Sequence, residues 1–294
     1  MLHPKLPSPG GALRSLLANG PIIAPGVYDA ITARLAERAG AKAIYLSGAG
    51  VTNSMTALPD IALITQDEMA RQANYACSAV QVPVFADADT GYGDTWNVRR
   101  TVSEFERAGL AGLHIEDQLA PKRCGHLDGK EVIPAADMCK KIRAAVDARS
   151  DPAFFIIART DARGVNGLDD AIERGKTYVG AGADCIFPEG LQSEDEFEAF
   201  RKAVPGPLLA NMTEFGKTPI IPALRFHDLG YEIVIFPMTA FRVMLKAVSD
   251  TYDALLRDGT QHSLLNRMLT RKELYDLIEY PEYERIDKGD AESP

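Results

Sequence analysis

Glu106-Arg107-Ala108-Gly109-Leu110-Ala111-Gly112-Leu113-His114-Ile115-Glu116-Asp117 is the stretch that decides how this chain is read. A helical pattern stops at a glycine able to take the left-handed C′ conformation, and a short apolar strand follows, closed by two acids. The phrase recurs. Ala36-Glu37-Arg38-Ala39-Gly40 leads into Ala43-Ile44-Tyr45-Leu46-Ser47, and Val179-Gly180-Ala181-Gly182 into Asp184-Cys185-Ile186-Phe187-Pro188-Glu189. Leu229-Gly230 leads into Glu232-Ile233-Val234-Ile235-Phe236-Pro237. Proline-led runs at 82–87 and 204–211, with Ile22 to Pro25 and Phe154 to Arg159, bring the count to about eight strands, the number of a (β/α)8 barrel. Their continuous apolar character is that of strands buried on both faces. Helical patterns separate them, among them Ile31 to Ala39, Thr101 to Ala108 and Leu168 to Val179. An α/β TIM-type barrel is expected, with an open doubly wound sheet as the alternative. Ala240 to Leu256 and Arg271 to Ile278 read as helices beyond the barrel count.

Composition frames this without deciding it. The 294 residues are 46% hydrophobic and 25% charged, ordinary for a globular protein with a large core, and a single domain over 1–294 is expected. The net charge of −9 and pI near 5.2 argue against a nucleic-acid-binding surface. No segment is apolar and long enough to span a membrane, and Met1-Leu2-His3-Pro4 does not open a signal peptide. Cys77, Cys124, Cys139 and Cys185 show no metal-type spacing, so a reduced, cytoplasmic protein is the simplest reading.

The strand ends carry the chemistry, because barrel enzymes build their sites at the C-terminal mouth. They deliver Tyr45, Ser47 and Gly48; Asp87 and Asp89; Glu116; Arg159 and Asp161; Glu189; Asn211 and Thr213; and Arg242 beyond the last strand. Asp87 and Asp89 are two apart on a run read as extended, so both side chains are expected on one face, with Glu116 approaching from the next strand. Such an oxygen-only cluster suits Mg²⁺ or Mn²⁺, and the lack of a histidine cluster disfavours Zn²⁺. Asp60, in Leu58-Pro59-Asp60, is a candidate outer-shell partner. Arg159 and Arg242 can clamp carboxylates in a bidentate manner. Asp94 and Asp161 are compatible with simple capping roles, and His114, inside an apolar strand, reads as a satisfied core histidine.

Pro121-Lys122-Arg123-Cys124-Gly125-His126 adds a thiol beside two cations and an imidazole, a setting that tunes a thiol's proton affinity. Gly48-Ala49-Gly50 lacks the third glycine of a dinucleotide fingerprint, as Asn53 stands there, but its amides could hold a carboxylate. Together the residues describe a small polycarboxylate bound to a divalent metal, with Cys124 on a loop above.

At these residues the chain resembles the isocitrate lyase and phosphoenolpyruvate mutase superfamily. The resemblance rests on Tyr45-Leu46-Ser47-Gly48, Leu58-Pro59-Asp60, Asp87-Ala88-Asp89-Thr90-Gly91-Tyr92-Gly93, Glu116-Asp117-Gln118 and Lys122-Arg123-Cys124-Gly125-His126. It continues through Ala158-Arg159-Thr160-Asp161, Phe187-Pro188-Glu189, Asn211 to Gly216 and Thr270 to Tyr275. It implies a barrel whose last helix swaps between subunits, usually in a homotetramer. It also implies Mg²⁺-dependent cleavage of 2-methylisocitrate to pyruvate and succinate, a step of propionate catabolism through the methylcitrate cycle. Asp87 would hold the metal directly, with Asp60, Asp89 and Glu116 acting mainly through water. Cys124 would be the general acid, Tyr45 would take the hydroxyl proton, and His126 joins them among the catalytic candidates. Ser47, Gly48, Gly50, Lys122, Arg123, Arg159, Asn211, Thr213 and Arg242 would bind substrate, while Gly125 and Glu189 support the loop and the succinyl end. Phe187, Phe236, Pro237 and Met238 are expected to form the alkyl niche. Dimethylmalate or isocitrate cleavage, a phosphoenolpyruvate mutase-like or oxaloacetate decarboxylase-like activity, and a non-catalytic dicarboxylate binder are the alternatives.

Overall fold

The computed structural model describes residues 5–123, 125 and 129–291. Parallel strands β1 (Ile22–Val27), β2 (Ile44–Leu46), β3 (Val84–Asp87), β4 (Gly112–Glu116), β5 (Phe155–Thr160), β6 (Cys185–Pro188), β7 (Leu209–Asn211) and β8 (Ile233–Phe236) form one sheet. Their order is β6-β5-β4-β3-β2-β1-β8-β7. A parallel bridge between Ile186 and Leu208, with the Ile186 amide donating to the Pro207 carbonyl at 3.0 Å, joins the two edges and closes the barrel. The closed barrel, rather than the open sheet, is the outcome.

Helices α1 (Pro9–Ala18), α2 (Ala30–Arg38), α3 (Gly48–Thr56), α4 (Gln66–Ala79), α5 (Thr95–Ala108), α6 (Ala135–Ala148), α7 (Leu168–Gly180), α8 (Glu194–Ala203) and α9 (Ala223–Asp228) alternate with the strands. Gly40, Gly109, Gly182 and Gly230 have φ of +97°, +100°, +103° and +88°, the left-handed conformation expected where each helix turns into its strand. Helix α5 begins at Thr95, six residues before the apolar pattern suggests. The Asp94 carboxylate accepts from the Thr95 amide at 2.8 Å, and Asn97 Oδ1 accepts from the Asp94 amide at 3.2 Å. A capping box therefore starts the helix ahead of its buried stripe.

Tyr45, Phe85, Phe155, Ile157, Phe187, Leu209, Ile233 and Ile235 fill the interior as a buried cluster. Register places the polar strand ends together: Asp87 lies opposite His114, Glu116 opposite Arg159, and Arg159 opposite Phe187.

Two compact units divide the chain, residues 1–240 and 241–294, and the barrel lies in the first. The second holds most of α10 (Thr239–Asp258), α11 (Arg271–Leu277) and α12 (Tyr280–Ala291). In α10, Val243, Tyr252 and Leu256 are exposed. Among the described residues no helix is long and apolar enough to cross a membrane.

Candidate active site

Strand β3 ends at Asp87, and the chain turns at once. Asp89 adopts φ +46°, so the expectation of an extended segment with Asp87 and Asp89 side by side does not hold. The turn reaches the same end differently. The Asp89 amide donates to Asp87 Oδ1 at 2.9 Å, and the Glu116 amide donates to the Asp89 carbonyl at 2.9 Å, stitching the turn to β4. Asp87, Asp89 and Glu116 are all buried. Burial is the main cause that raises each carboxyl above its usual range, to about 6 for Asp89. Gly48 forms one wall: a Cβ there would lie 2.5 Å from Asp87 Oδ2, so α3 can approach this carboxylate only as glycine.

Lys122 reaches into the cluster. Its Nζ contacts the Asp60 carboxylate and lies 2.8 Å from Asp89 Oδ1. Burial opposes its charge, but Asp89, Glu116, Asp87 and Asp60 outweigh that and hold the ammonium protonated. Two buried cations thus face the acids, the second being Arg159, whose Nη1 is 3.2 Å from Glu116 Oε2. That contact lacks hydrogen-bond geometry, and neither Glu116 oxygen has a hydrogen-bond donor among the described residues. Two buried, unsatisfied carboxylate oxygens beside Asp87 form an oxygen donor set that fits a hard divalent cation. No three Asp, Glu, His or Cys side chains among the described residues are spaced to enclose an ion by themselves. Mg²⁺ does not require such a cage, because it keeps several waters and takes few protein ligands.

Arg159 is the hub of the opposite wall. Its Nε donates to Asp161 Oδ2 at 2.9 Å, Nη2 donates to Asp161 Oδ1 at 3.2 Å, and Nη2 lies 3.4 Å from Glu189 Oε2. Asn211 Nδ2 donates to Glu189 Oε2 at 3.1 Å. The capping role expected of Asp161 does not hold: its side chain makes no capping bond to the short helix that follows, because Arg159 and Lys130 occupy the carboxylate. Asp161 orients Arg159 from beneath and also accepts from Lys130 Nζ at 2.7 Å. Asp94, by contrast, is the cap it was expected to be.

His114 is not a plain core histidine. Its Nε2 is 2.8 Å from the Tyr45 hydroxyl and 3.6 Å from Asp87 Oδ1, while Nδ1 has no partner among the described residues. Burial, and then Arg159, push its pKa down to about 3, so the ring is neutral. Burial and Asp87 keep the Tyr45 phenol protonated. As a proton acceptor, Tyr45 would first have to lose its own proton.

Tyr45, Ser47, Asp87, Gly125, Arg159, Glu189, Asn211 and Thr213 share the walls of one cavity of about 70 Å³ with Phe187, Ile235, Pro237 and Met238. Of the residues expected to form an alkyl niche, Phe187, Pro237 and Met238 line this cavity, with Ile235 in place of Phe236, because Ile233 and Ile235 are the β8 residues that face the interior cluster. Ser47 caps α3 by accepting from the Gly50 amide at 3.2 Å, so that amide is already used. Arg123 is exposed and outside the cavity lining, and Arg242 belongs to the second unit. Cys124 and His126 lie outside the described residues.

Three buried groups escaped the sequence reading: Gln118, Lys130 and Arg174. Gln118 and Lys130 hold the loop backbone at Arg123 and Gly125. Arg174 joins Tyr178 and Thr160 on Asp117 Oδ2 at 3.1, 2.7 and 2.8 Å. The available signal for Arg174 was a lone arginine on the inward stripe of α7, where a buried cation demands a buried acid.

A family model described as phosphoenolpyruvate phosphomutase matches residues 13–256. A 2-methylisocitrate lyase of Aeropyrum pernix is 54% identical over 283 residues, 96% of this chain and 91% of that protein. The chain belongs to the phosphoenolpyruvate mutase/isocitrate lyase superfamily. Solved structures agree with this placement. A 2,3-dimethylmalate lyase superposes with a TM-score of 0.91 at 36% identity, covering 97% of this chain and 96% of that one. A phosphonopyruvate hydrolase in complex with oxalate and Mg²⁺ superposes at 0.86 with 30% identity, covering 97% and 99%. The phosphonopyruvate hydrolase structure holds Mg²⁺ together with oxalate.

Proposed function

We propose that this enzyme cleaves 2-methylisocitrate to pyruvate and succinate, with Mg²⁺ as its cofactor. The observation that carries the reading is a cavity whose walls combine the buried acids Asp87 and Glu189 and the Arg159 guanidinium with the apolar side chains of Phe187, Ile235, Pro237 and Met238. A methyl-bearing hydroxy-tricarboxylate has both characters. The 2-methylisocitrate lyase from Aeropyrum pernix, at 54% identity, supports the choice of substrate.

In the reaction the substrate's tertiary hydroxyl loses its proton, and the adjacent carbon–carbon bond breaks as that oxygen becomes the ketone of pyruvate. The electron pair stays on the succinyl carbon, which takes a proton to give succinate. Asp87, with Asp60, Asp89 and Glu116 around it, would hold the metal, which when bound supplies positive charge beside the hydroxyl and carboxylate oxygens. Arg159, braced by Asp161, together with Asn211, Thr213, Ser47 and Gly48, binds carboxylates. Tyr45 and the neutral His114 orient the hydroxyl end. Cys124 delivers the proton to carbon, and Lys122 and Gly125 seat the segment that carries it.

A panel assay with Mg²⁺ tests the assignment, following pyruvate or glyoxylate from 2-methylisocitrate, isocitrate and 2,3-dimethylmalate. One methyl in an apolar niche supports about 10- to 200-fold discrimination in kcat/KM over isocitrate. Equal or better cleavage of isocitrate would reject the substrate, and full activity in excess EDTA would reject the metal. Dimethylmalate is the second reading, favoured by the 0.91 superposition on its lyase. We also infer a homotetramer that covers the exposed apolar residues of α10, to be checked by light scattering.

A further inference from the structure

The loop between β4 and α6 leaves the barrel as an antiparallel stem. Gln118 bridges Val132, the Leu119 amide donates to the Glu131 carbonyl at 2.8 Å, and the Ile133 amide donates to the Asp117 carbonyl at 2.9 Å. Two buried side chains of this stem then grip the loop backbone on both sides of position 124. Gln118 treats Arg123 as a strand partner: its Oε1 accepts from the Arg123 amide at 2.9 Å, and its Nε2 donates to the Arg123 carbonyl at 2.8 Å. One residue satisfies both ends of the amide, which fixes the plane of the peptide groups it touches. Lys130 Nζ donates to the Gly125 carbonyl and to Asp161 Oδ1. Asp161 is itself immobilised by Arg159 and by its amide on Asp117 Oδ1 at 2.9 Å. An unbroken chain of buried hydrogen bonds therefore runs from the barrel wall to the carbonyl of Gly125, the residue after Cys124.

We propose that Gln118 and Lys130 are positioning residues for proton delivery, clamping the backbone before and after Cys124 so that its thiol is presented to the reacting carbon. The inference rests on the reading that Cys124 supplies the proton. Neither residue is among the lining of the cavity that holds Asp87 and Arg159. Their effect is on aim, and a misplacement of about 1 Å in a reacting group costs about 10²-fold in rate.

The test uses the full-length Mg²⁺-loaded enzyme and two near-isosteric variants, Gln118→Leu and Lys130→Met. For each, kcat, KM, the melting temperature and the solvent deuterium isotope effect on kcat are measured with 2-methylisocitrate. The expected result is a fall in kcat of about 10²-fold for both, with KM changed by less than about threefold for Gln118→Leu and raised further for Lys130→Met, which also strips a partner from the Asp161 that braces Arg159. The isotope effect should rise as protonation of the carbanion becomes rate-limiting. Gln118→Glu keeps the acceptor for the Arg123 amide and Lys130→Arg keeps the cation, so each should recover part of the loss. These two also serve if a first variant fails to fold. Near-normal kcat in both Leu and Met variants overturns the proposal. So does a loss that tracks the melting temperature with an unchanged isotope effect, because that is the mark of loop scaffolding alone. Cys124→Ser, run in parallel, separates the two layers. Normal turnover there removes the underlying reading, whereas an inactive Cys124→Ser beside fully active clamp variants removes only this inference.

Discussion

Gly125→Ala concentrates the geometry of the site into one added carbon. A Cβ at this position would lie 2.5 Å from Arg159 Nη2, 2.5 Å from Glu189 Cγ and 2.8 Å from Glu189 Cδ. Ordinary contact begins near 3.4 Å, so the groups must separate by roughly 1 Å. The wall cannot yield easily: Arg159 is tied to Asp161 by two hydrogen bonds, and Glu189 accepts from Asn211 and from the Gly190 amide at 2.9 Å. The loop must give way instead, which lifts the Gly125 carbonyl from Lys130 and carries the neighbouring thiol with it. A displacement of that size predicts a kcat lower by about 10²-fold. Gly125 is buried, and overpacking there costs about 1–3 kcal/mol, so the melting temperature should fall by several degrees while the barrel stays folded. Steady-state kinetics on 2-methylisocitrate with a thermal melt read both quantities. A Gly125→Ala enzyme turning over within about threefold of the parent would refute the claim that close seating of this segment matters.

Gly48→Ala would place a Cβ 2.5 Å from Asp87 Oδ2, so Mg²⁺ affinity measured by calorimetry should fall while the fold persists; unchanged affinity would remove Asp87 from the metal site. Asp117→Ala leaves the Arg174 guanidinium without its buried partner and strips acceptors from Thr160 and Tyr178, so urea unfolding should show a loss of about 3–5 kcal/mol. Cys77, Cys139 and Cys185 are buried, and burial pushes the Cys77 thiol up to about 12. Brief alkylation of the native protein at pH 8 should therefore modify Cys124 ahead of all three, and a Cys124→Ser protein should take up almost no label; rapid labelling of Cys77 or Cys185 would contradict the buried placement. Cys124→Ser should also lose at least about 10²-fold in kcat, the usual worth of a positioned proton donor.

The barrel is legible in the chain because its signals are local. A glycine at C′, an apolar run and an acid at its end each depend on neighbouring residues, so strands near positions 44, 112, 185 and 233 can be placed without knowing where the others lie. Parallel strands feeding one mouth then bring Asp87, Glu116, Arg159, Glu189 and Asn211 to a common rim whatever the loops do. Tertiary structure alone decides what depends on residues far apart in sequence. Lys122 sits between Asp60 and Asp89, 62 and 33 positions away, and nothing near Lys122 announces that pairing. His114 looks apolar in its strand, yet the register of β4 on β3 sets its ring against Tyr45 and Asp87. Asp89 reaches the site through a left-handed turn rather than an extended segment, a backbone choice fixed by hydrogen bonds to β4. The niche takes Ile235 and not Phe236, because which face of a short apolar strand points inward is set when the barrel closes, and a run buried on both faces carries no alternation from which to read it.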